Sequence, residues 1–408
     1  MRGRRAVAVA LMAALVTAAS PSHAGGPLAV RENGAPYVWS TASAIAYRTD
    51  NGPLSANVAE GAARTRVDTL FDVWQNVASA AISYARAGFI EAVGAYSGGD
   101  VNTLAEYNAV VGDCGDANQS PVIYDADAAI LIALGDDEES VIGFAGPCSI
   151  ELGTGQFLSG DVLMNGLFQD GQVAPVPDLS TTLFNAAFIH EFGHFSGLDH
   201  SQINVNCASA ACSADDLDGL PTMFPFAVDD SQSSLSVDDI AWISRLYPAA
   251  GAGGFTATHG TITGTVYFSD GESHAQLVNV IARPVDTGAN EDRTSAASNV
   301  SGYRFRFFNG NPINDPSGDE GFGTQTPGDI GRFEISVPPG NYMIGVENID
   351  PQFVEGSSVG GPIRIDMPGT APAPIGPITV TAGATSSGND VTLIGTDPRF
   401  DQFEGPGS

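Results

Sequence analysis

The chain is 408 residues long, enough for two or three domains rather than one. With 43% apolar residues it can build packed cores, and its 49 Gly and 25 Pro lean toward β structure and long loops rather than helix bundles. Against 47 acidic residues stand 16 basic ones, all of them arginine, for a formal net charge of -31; so acidic a surface repels phosphate backbones and excludes nucleic acid as a partner, while it suits calcium, cationic substrates or a salty medium.

The N-terminus reads as a secretory signal. "MRGRR" is basic, "AVAVALMAALVTAA" is apolar, and "SHA" offers a small-residue cleavage site after Ala24, so residues 1–24 are expected to be removed and the remainder secreted. The apolar run is too short to span a bilayer, and no later stretch approaches ~20 apolar residues, so no integral membrane segment is expected in the mature chain. Export makes the four cysteines readable as disulfides, with three possible pairings. Cys207 and Cys212 lie in one loop, which favours that pair and leaves Cys114 with Cys148.

Beyond the signal, "YVWSTASAIAYRTDNGPLS" has the pattern of a strand followed by a loop. "RVDTLFDVWQNVASAAISYARAG" carries Val67, Leu70, Phe71, Trp74, Ala78 and Ala81 at helical spacing, so the spacing predicts one long helix ended by Gly88. From 89 to 180 short strands and long loops are expected, with "PVIYDADAAILIALG" and "DVLMNGLF" as the best strand-bearing parts. "TTLFNAAFIHEFGHFSG" predicts a second helix with Leu183, Phe184, Ala187 and Phe188 inward and Gly197 at its end. "SVDDIAWISRLYP" predicts a third, opened by a capping box of Ser236 and Asp239 and stopped at Pro248.

"AAGAGG" (249–254) reads as a linker, and beyond it helical periodicity disappears. "TITGTVYF", "LVNVIARPV", "RFEISVPPGNYMIGVEN", "ITVTAG" and "NDVTLIG" predict an all-β antiparallel sandwich over 255–396, followed by a tail at 397–408. Residues 284–330, polar and rich in Gly, Asn and Asp, read as a long excursion between strands.

"HEFGHFSGLDHS" (190–201) concentrates three of the six histidines. Four residues apart on a helix, His190 and His194 share a face and can meet one metal. Glu191, beside the first, can reach a metal-bound water without being a ligand, the position a general base needs. Gly197 can adopt positive φ and return the chain so that His200 becomes the third ligand, leaving an open fourth position as in catalytic zinc sites. A structural zinc site would more often use cysteines or a fourth side chain.

The complete H-E-x-x-H-x-x-G-x-x-H pattern, with Met223 in "LPTMFPF" lying 23 residues after His200, resembles the metzincin zinc endopeptidases and their methionine turn. Ser201, the "TMFP" turn and "LSVDDIAWISRLYP" make the likeness closest to matrixins over about residues 36–248. The resemblance implies an α+β catalytic domain at 25–248, with a twisted mixed sheet and three main helices. Zn2+ would be held by His190, His194 and His200, with Glu191 as base, Met223 beneath the site, and a protein or peptide substrate along an edge strand near "GDVLMNG". Phe224, Pro225 and Phe226 would lie near a substrate pocket, or serve core packing alone. Ala227 stands where a tyrosine is frequent in that family, and the segment between His200 and the turn is longer than in compact matrixins. Asp125, Asp127, the run Asp136 to Glu139, Asp215, Asp216 and Asp218 are candidates for structural Ca2+, or are solvated loop acids. Residues 255–396 resemble a carboxypeptidase-regulatory-like, transthyretin-type sandwich, in which His259 and His274 have no partner at ligand spacing. A secreted zinc endopeptidase is thus expected; the alternative is an extracellular adhesin or binding protein built on an inactive metalloprotease scaffold. Oligomeric state is left open.

Overall fold

A computed structural model describes residues 26–28, 31, 35–115, 118–204, 207, 213–275, 278–285, 295–302, 307–308, 311–312, 328–347 and 370–395. The expected signal segment 1–24, the tail 397–408 and Cys212 lie outside the described residues. The architecture is mixed α/β, in two units.

The first unit is built on a sheet of six strands: Val38–Trp39 (β1), Ile45–Thr49 (β2), Tyr84–Phe89 (β3), Pro121–Asp125 (β4), Gly143–Glu151 (β5) and Gln156–Asn165 (β6). β3, β2, β4 and β6 run parallel in that spatial order, and β5 closes the edge antiparallel to β6. The edge strand on that side is therefore β5, with β3 at the opposite edge; "GDVLMNG" belongs to β6, which is paired on both sides. Four helices accompany the sheet: Glu60–Gln75 (α1), Leu104–Val111 (α2), Ala129–Leu134 (α3) and Thr181–Phe195 (α4). The core lies where α1 and α4 meet. Phe71 stacks on Phe192 with ring centroids 3.7 Å apart, and fully buried Trp74 donates from Nε1 to Ile189 O at 2.8 Å. Each such ring removes enough apolar surface from water to contribute roughly 2–3 kcal/mol.

One expectation changes here. The helix predicted through Ala81 ends at Gln75, and Tyr84–Phe89 is strand β3. Alanine-rich sequence fits either period, and pairing of Ile45 with Tyr84 and of Tyr47 with Arg86 decides for the strand. In "PVIYDADAAILIALG" only Pro121–Asp125 is strand, because the Asp125 carboxylate accepts the Ile130 and Leu131 N–H groups and starts α3. Cys114, in the turn after α2, is bonded to Cys148 of β5 as expected, tying the edge strand to that turn. Cys207 is also disulfide-bonded; Cys212, its expected partner, is not among the described residues.

After α4 come the short helix Ala214–Asp218 (α5) and Val237–Leu246 (α6), whose N-terminus carries the expected Ser236–Asp239 capping box. Residues 249–254 form a compact turn, closed by Phe255 N donating to Ala249 O at 3.1 Å, and lead into Phe255–Thr258 (α7).

The second unit contains Gly260–Tyr267 (β7), Asn279–Pro284 (β8), Ala297–Val300 (β9), Phe307–Phe308 (β10), Asn311–Pro312 (β11), Arg332–Val337 (β12), Gly340–Glu347 (β13), Ile375–Val380 (β14), Thr385–Ser386 (β15) and Val391–Thr392 (β16). One four-stranded sheet joins β12, β7, β15 and β16; the other has the order β14-β13-β8-β9. Ile262, Phe333 and Ile335 of the first share one core with Val280, Ile344 and Val346 of the second. Pairing is antiparallel except where β15 and β16 run parallel to β7. β9 lies inside the segment expected to be an excursion. Its "ASNV" has no apolar alternation because all four residues are buried.

Candidate metal centre

Helix α4 begins at Ser180, whose side chain accepts the Leu183 N–H at 2.9 Å. One face packs Phe184, Phe188 and Phe192 into the core. His190 and His194 therefore project together from another part of the surface. The helix stops in a Schellman arrangement: Gly197 N donates to His194 O at 2.8 Å and Leu198 N to Gly193 O at 2.9 Å, with Gly197 at φ +87°. A β-carbon there would add left-handed strain and stand 2.7 Å from Phe157 Cε2. Beyond the turn, Leu198 pairs with Pro27, and Asp199 N donates to Gly26 O at 3.1 Å, which directs the chain back toward the helix.

His200 is thereby brought to the two helical histidines. The three Nε2 atoms converge, at 3.0 Å for His194–His190, 3.0 Å for His194–His200 and 3.2 Å for His200–His190. His190 Nδ1 faces Thr222 O at 2.9 Å and His194 Nδ1 faces Leu198 O at 2.9 Å. A carbonyl only accepts, so in both rings Nδ1 carries the proton and Nε2 presents its lone pair inward. The helix-ending turn thus supplies the acceptor that orients a ring of the same helix. Burial lowers the pKa of all three imidazoles, that of His194 to about 3, and mutual proximity adds to the effect on His194 and His200. Neutral imidazoles with lone pairs aimed at one point repel one another unless a cation lies between them. Three nitrogens bound at about 2.0–2.1 Å to a tetrahedral Zn2+ would lie about 3.3–3.4 Å apart, close to the separations found. The triad is the one group of three or more His, Cys, Asp or Glu side chains among the described residues able to hold a metal ion. None of the described carboxylates expected as calcium candidates joins such a group, and Asp125 is occupied by backbone N–H groups; the Asp215 side chain lies outside the described residues.

Glu191 is buried next to the triad, and burial pushes its carboxyl up to about 8. Met223 is buried under the helix, where a β-carbon on Gly193 would collide with its Sδ and come within 2.9 Å of Trp74. Phe224 is fully buried with Leu220 and Cys207, whereas Phe226 is 39% exposed and Pro225 is half-buried.

The three histidines expected as ligands are thus brought together, while Glu191 and Met223 are both buried. Residues beyond the motif also contribute. Asp239, read only as a helix cap, additionally accepts Thr222 N at 2.9 Å and Met223 N at 3.0 Å, fixing both the methionine turn and the carbonyl that orients His190. Ser201 N donates to Met223 O at 2.8 Å, and Tyr247 OH donates to Ser196 O at 2.5 Å. The capping-box spacing marked Asp239; no local pattern marks its second role, which spans 16 and 17 residues.

The fold and the cluster define a mixed α/β protein with a three-histidine site able to hold a metal ion. No protein-family model and no curated protein matches the chain.

Proposed function

We propose that the chain is a secreted zinc-dependent endopeptidase of matrixin type, with residues 25–248 as the catalytic domain and 255–396 as a transthyretin-like accessory sandwich. The convergence of three neutral imidazole Nε2 atoms within 3.2 Å of one another, beside a buried glutamate, carries this reading. The likeness of "HEFGHFSGLDHS" and "LPTMFPF" to the metzincin signatures supports it. The order of strands, with one antiparallel edge strand beside α4, fits the same class.

His190, His194 and His200 would hold Zn2+, which supplies Lewis acidity and lowers the pKa of a bound water to roughly 7. Thr222 and Leu198 orient two of the rings through their carbonyls. Glu191, buried beside His190, would take a proton at one carboxylate oxygen and deliver it to a leaving amine. The outer edge of β5 is unpaired among the described strands, so an extended peptide can add to it through main-chain hydrogen bonds. The disulfide to Cys114 steadies that strand.

The test is casein or gelatin hydrolysis by purified protein with and without a zinc chelator, beside Glu191→Ala. Wild type is expected to cleave in a chelator-sensitive manner. Glu191→Ala should bind zinc normally while its turnover falls by a factor on the order of 10²–10⁴. Absence of chelator-sensitive cleavage across several protein substrates would overturn the reading.

A further inference from the structure

His190 and His194 are held by their helix, whereas His200 rides on an irregular segment. The four residues after it, Ser201, Gln202, Ile203 and Asn204, are nevertheless all buried. Much of what covers them comes from the second unit. Asn279 Nδ2 of β8 donates to Gln202 O at 2.9 Å. Ile203 forms a small closed cluster with Ile281 of β8 and with Ala296, separate from the core of either unit. Arg283 Nη2 reaches Asn204 Oδ1 at 3.4 Å.

One carboxylate joins the two sides. Asp238, at the start of α6 and 1% exposed, accepts the Ser201 hydroxyl on Oδ2 at 2.6 Å and the Ser298 N–H of β9 on Oδ1 at 2.8 Å. Trp242 Nε1, one turn further along α6, donates to Ser298 O at 3.0 Å. The Ser201 side chain, next to His200, is therefore bonded to a carboxylate that is itself bonded to the second unit.

We propose that the second unit is the outer support of the third metal ligand, with Asp238 as the positioning residue that transmits it, so that metal affinity at the triad depends on the docked β8–β9 surface. The inference rests on the metal reading of the triad. A ligand on a loop must be ordered before it can bind, and the ordering cost falls on metal affinity unless neighbouring groups have already met it. Without β8 and β9 the loop keeps Met223 O as acceptor for Ser201 N, but loses the Asn279 donor to Gln202 O, the apolar cover of Ile281 over Ile203, and the Ser298 N–H that anchors Asp238.

The experiment uses the full chain, titrated with zinc against a chromophoric chelator, with the visible spectrum of the cobalt-substituted protein as a second readout. The Asn279→Ala/Ile281→Ala variant touches the loop from the second unit alone, and Ile281 lies outside that unit's core. It is expected to bind zinc about tenfold or more weakly than wild type, with an altered cobalt spectrum. Ser201→Ala should weaken binding to a similar degree and Ser201→Thr, which keeps the hydroxyl, should restore it. Glu334→Ala removes the ion pair with Arg245 (2.7 Å) at the same interface but away from the loop, and should leave zinc affinity unchanged. Zinc affinities within twofold of wild type in Ser201→Ala and in the folded double variant would overturn the coupling while leaving the metal site intact. If the double variant does not fold, the Ser201→Ala and Ser201→Thr pair decides alone. A wild-type chain that binds no zinc sinks both the coupling and the site beneath it.

Discussion

The two units treat their titratable groups in opposite ways. In the first, three histidines are drawn together by a helix, a left-handed turn and a returning loop. In the second, His259 Nδ1 lies 2.9 Å from the neighbouring Thr258 hydroxyl and His274 Nδ1 lies 2.9 Å from Ile330 O, each satisfied where it stands. A helix repeats a direction every three to four residues and so can aim two side chains at one point, whereas consecutive residues of a strand point to opposite faces. Convergent chemistry in this chain therefore depends on α4 and its C-terminal turn, and the strands of the second unit provide a surface to dock on.

The sharpest way to break this contrast is to remove one ligand. His194→Ala is expected to abolish stoichiometric zinc binding, because two imidazoles remain and neither His259 nor His274 lies in a metal-holding group. Equilibrium dialysis checks this, and retention of one zinc per chain would show that the metal sits elsewhere. Next in size is Asp239→Ala. Three backbone N–H groups, of Thr222, Met223 and Ser236, lose a charged acceptor in a buried setting, for an expected loss of about 3–5 kcal/mol in urea unfolding. All three tryptophans, Trp39, Trp74 and Trp242, lie in the first unit, so their fluorescence reports that unit's unfolding. A loss below 1 kcal/mol would mean that the methionine turn does not depend on this carboxylate.

The smallest effect concerns pH. Burial pushes Asp50 up to about 7 and Asp125 to about 6, whereas exposed Asp270 of the second unit is lowered by bonds from Glu272 and Ser273. A carboxyl whose folded pKa is raised holds its proton more tightly when folded, so its contribution to stability is present below about pH 4 and is lost as pH rises toward the folded value. Asp50→Asn, shaped like the protonated acid, escapes that loss. Its stability relative to wild type should therefore rise between pH 5 and pH 7.5. The histidines titrate alike in both proteins and cancel in the comparison. A constant difference across that range would show that Asp50, which accepts from Gly52, Val101 and Tyr124, stays ionised in the folded chain.

Local pattern was sufficient for α4, for α6 with its Ser236 cap, and for the convergence of His190, His194 and His200, because each depends on residues within one helical turn or on a glycine that frees the backbone. The alanine-rich stretch after Gln75 was not decidable that way. Its sequence satisfies helix or strand, and only parallel pairing with β2 selects the strand. The polarity of "ASNV" likewise concealed β9, whose burial comes from neighbours distant in sequence. What the sequence determined alone is the set of groups that can meet a metal. What tertiary structure decided is the support behind them: Thr222 behind His190, Asp239 behind Met223, and Asp238 between Ser201 and Ser298. Those bonds join residues 16 to 60 positions apart, a range at which no periodicity of a helix or strand survives and only the packed chain brings donor to acceptor.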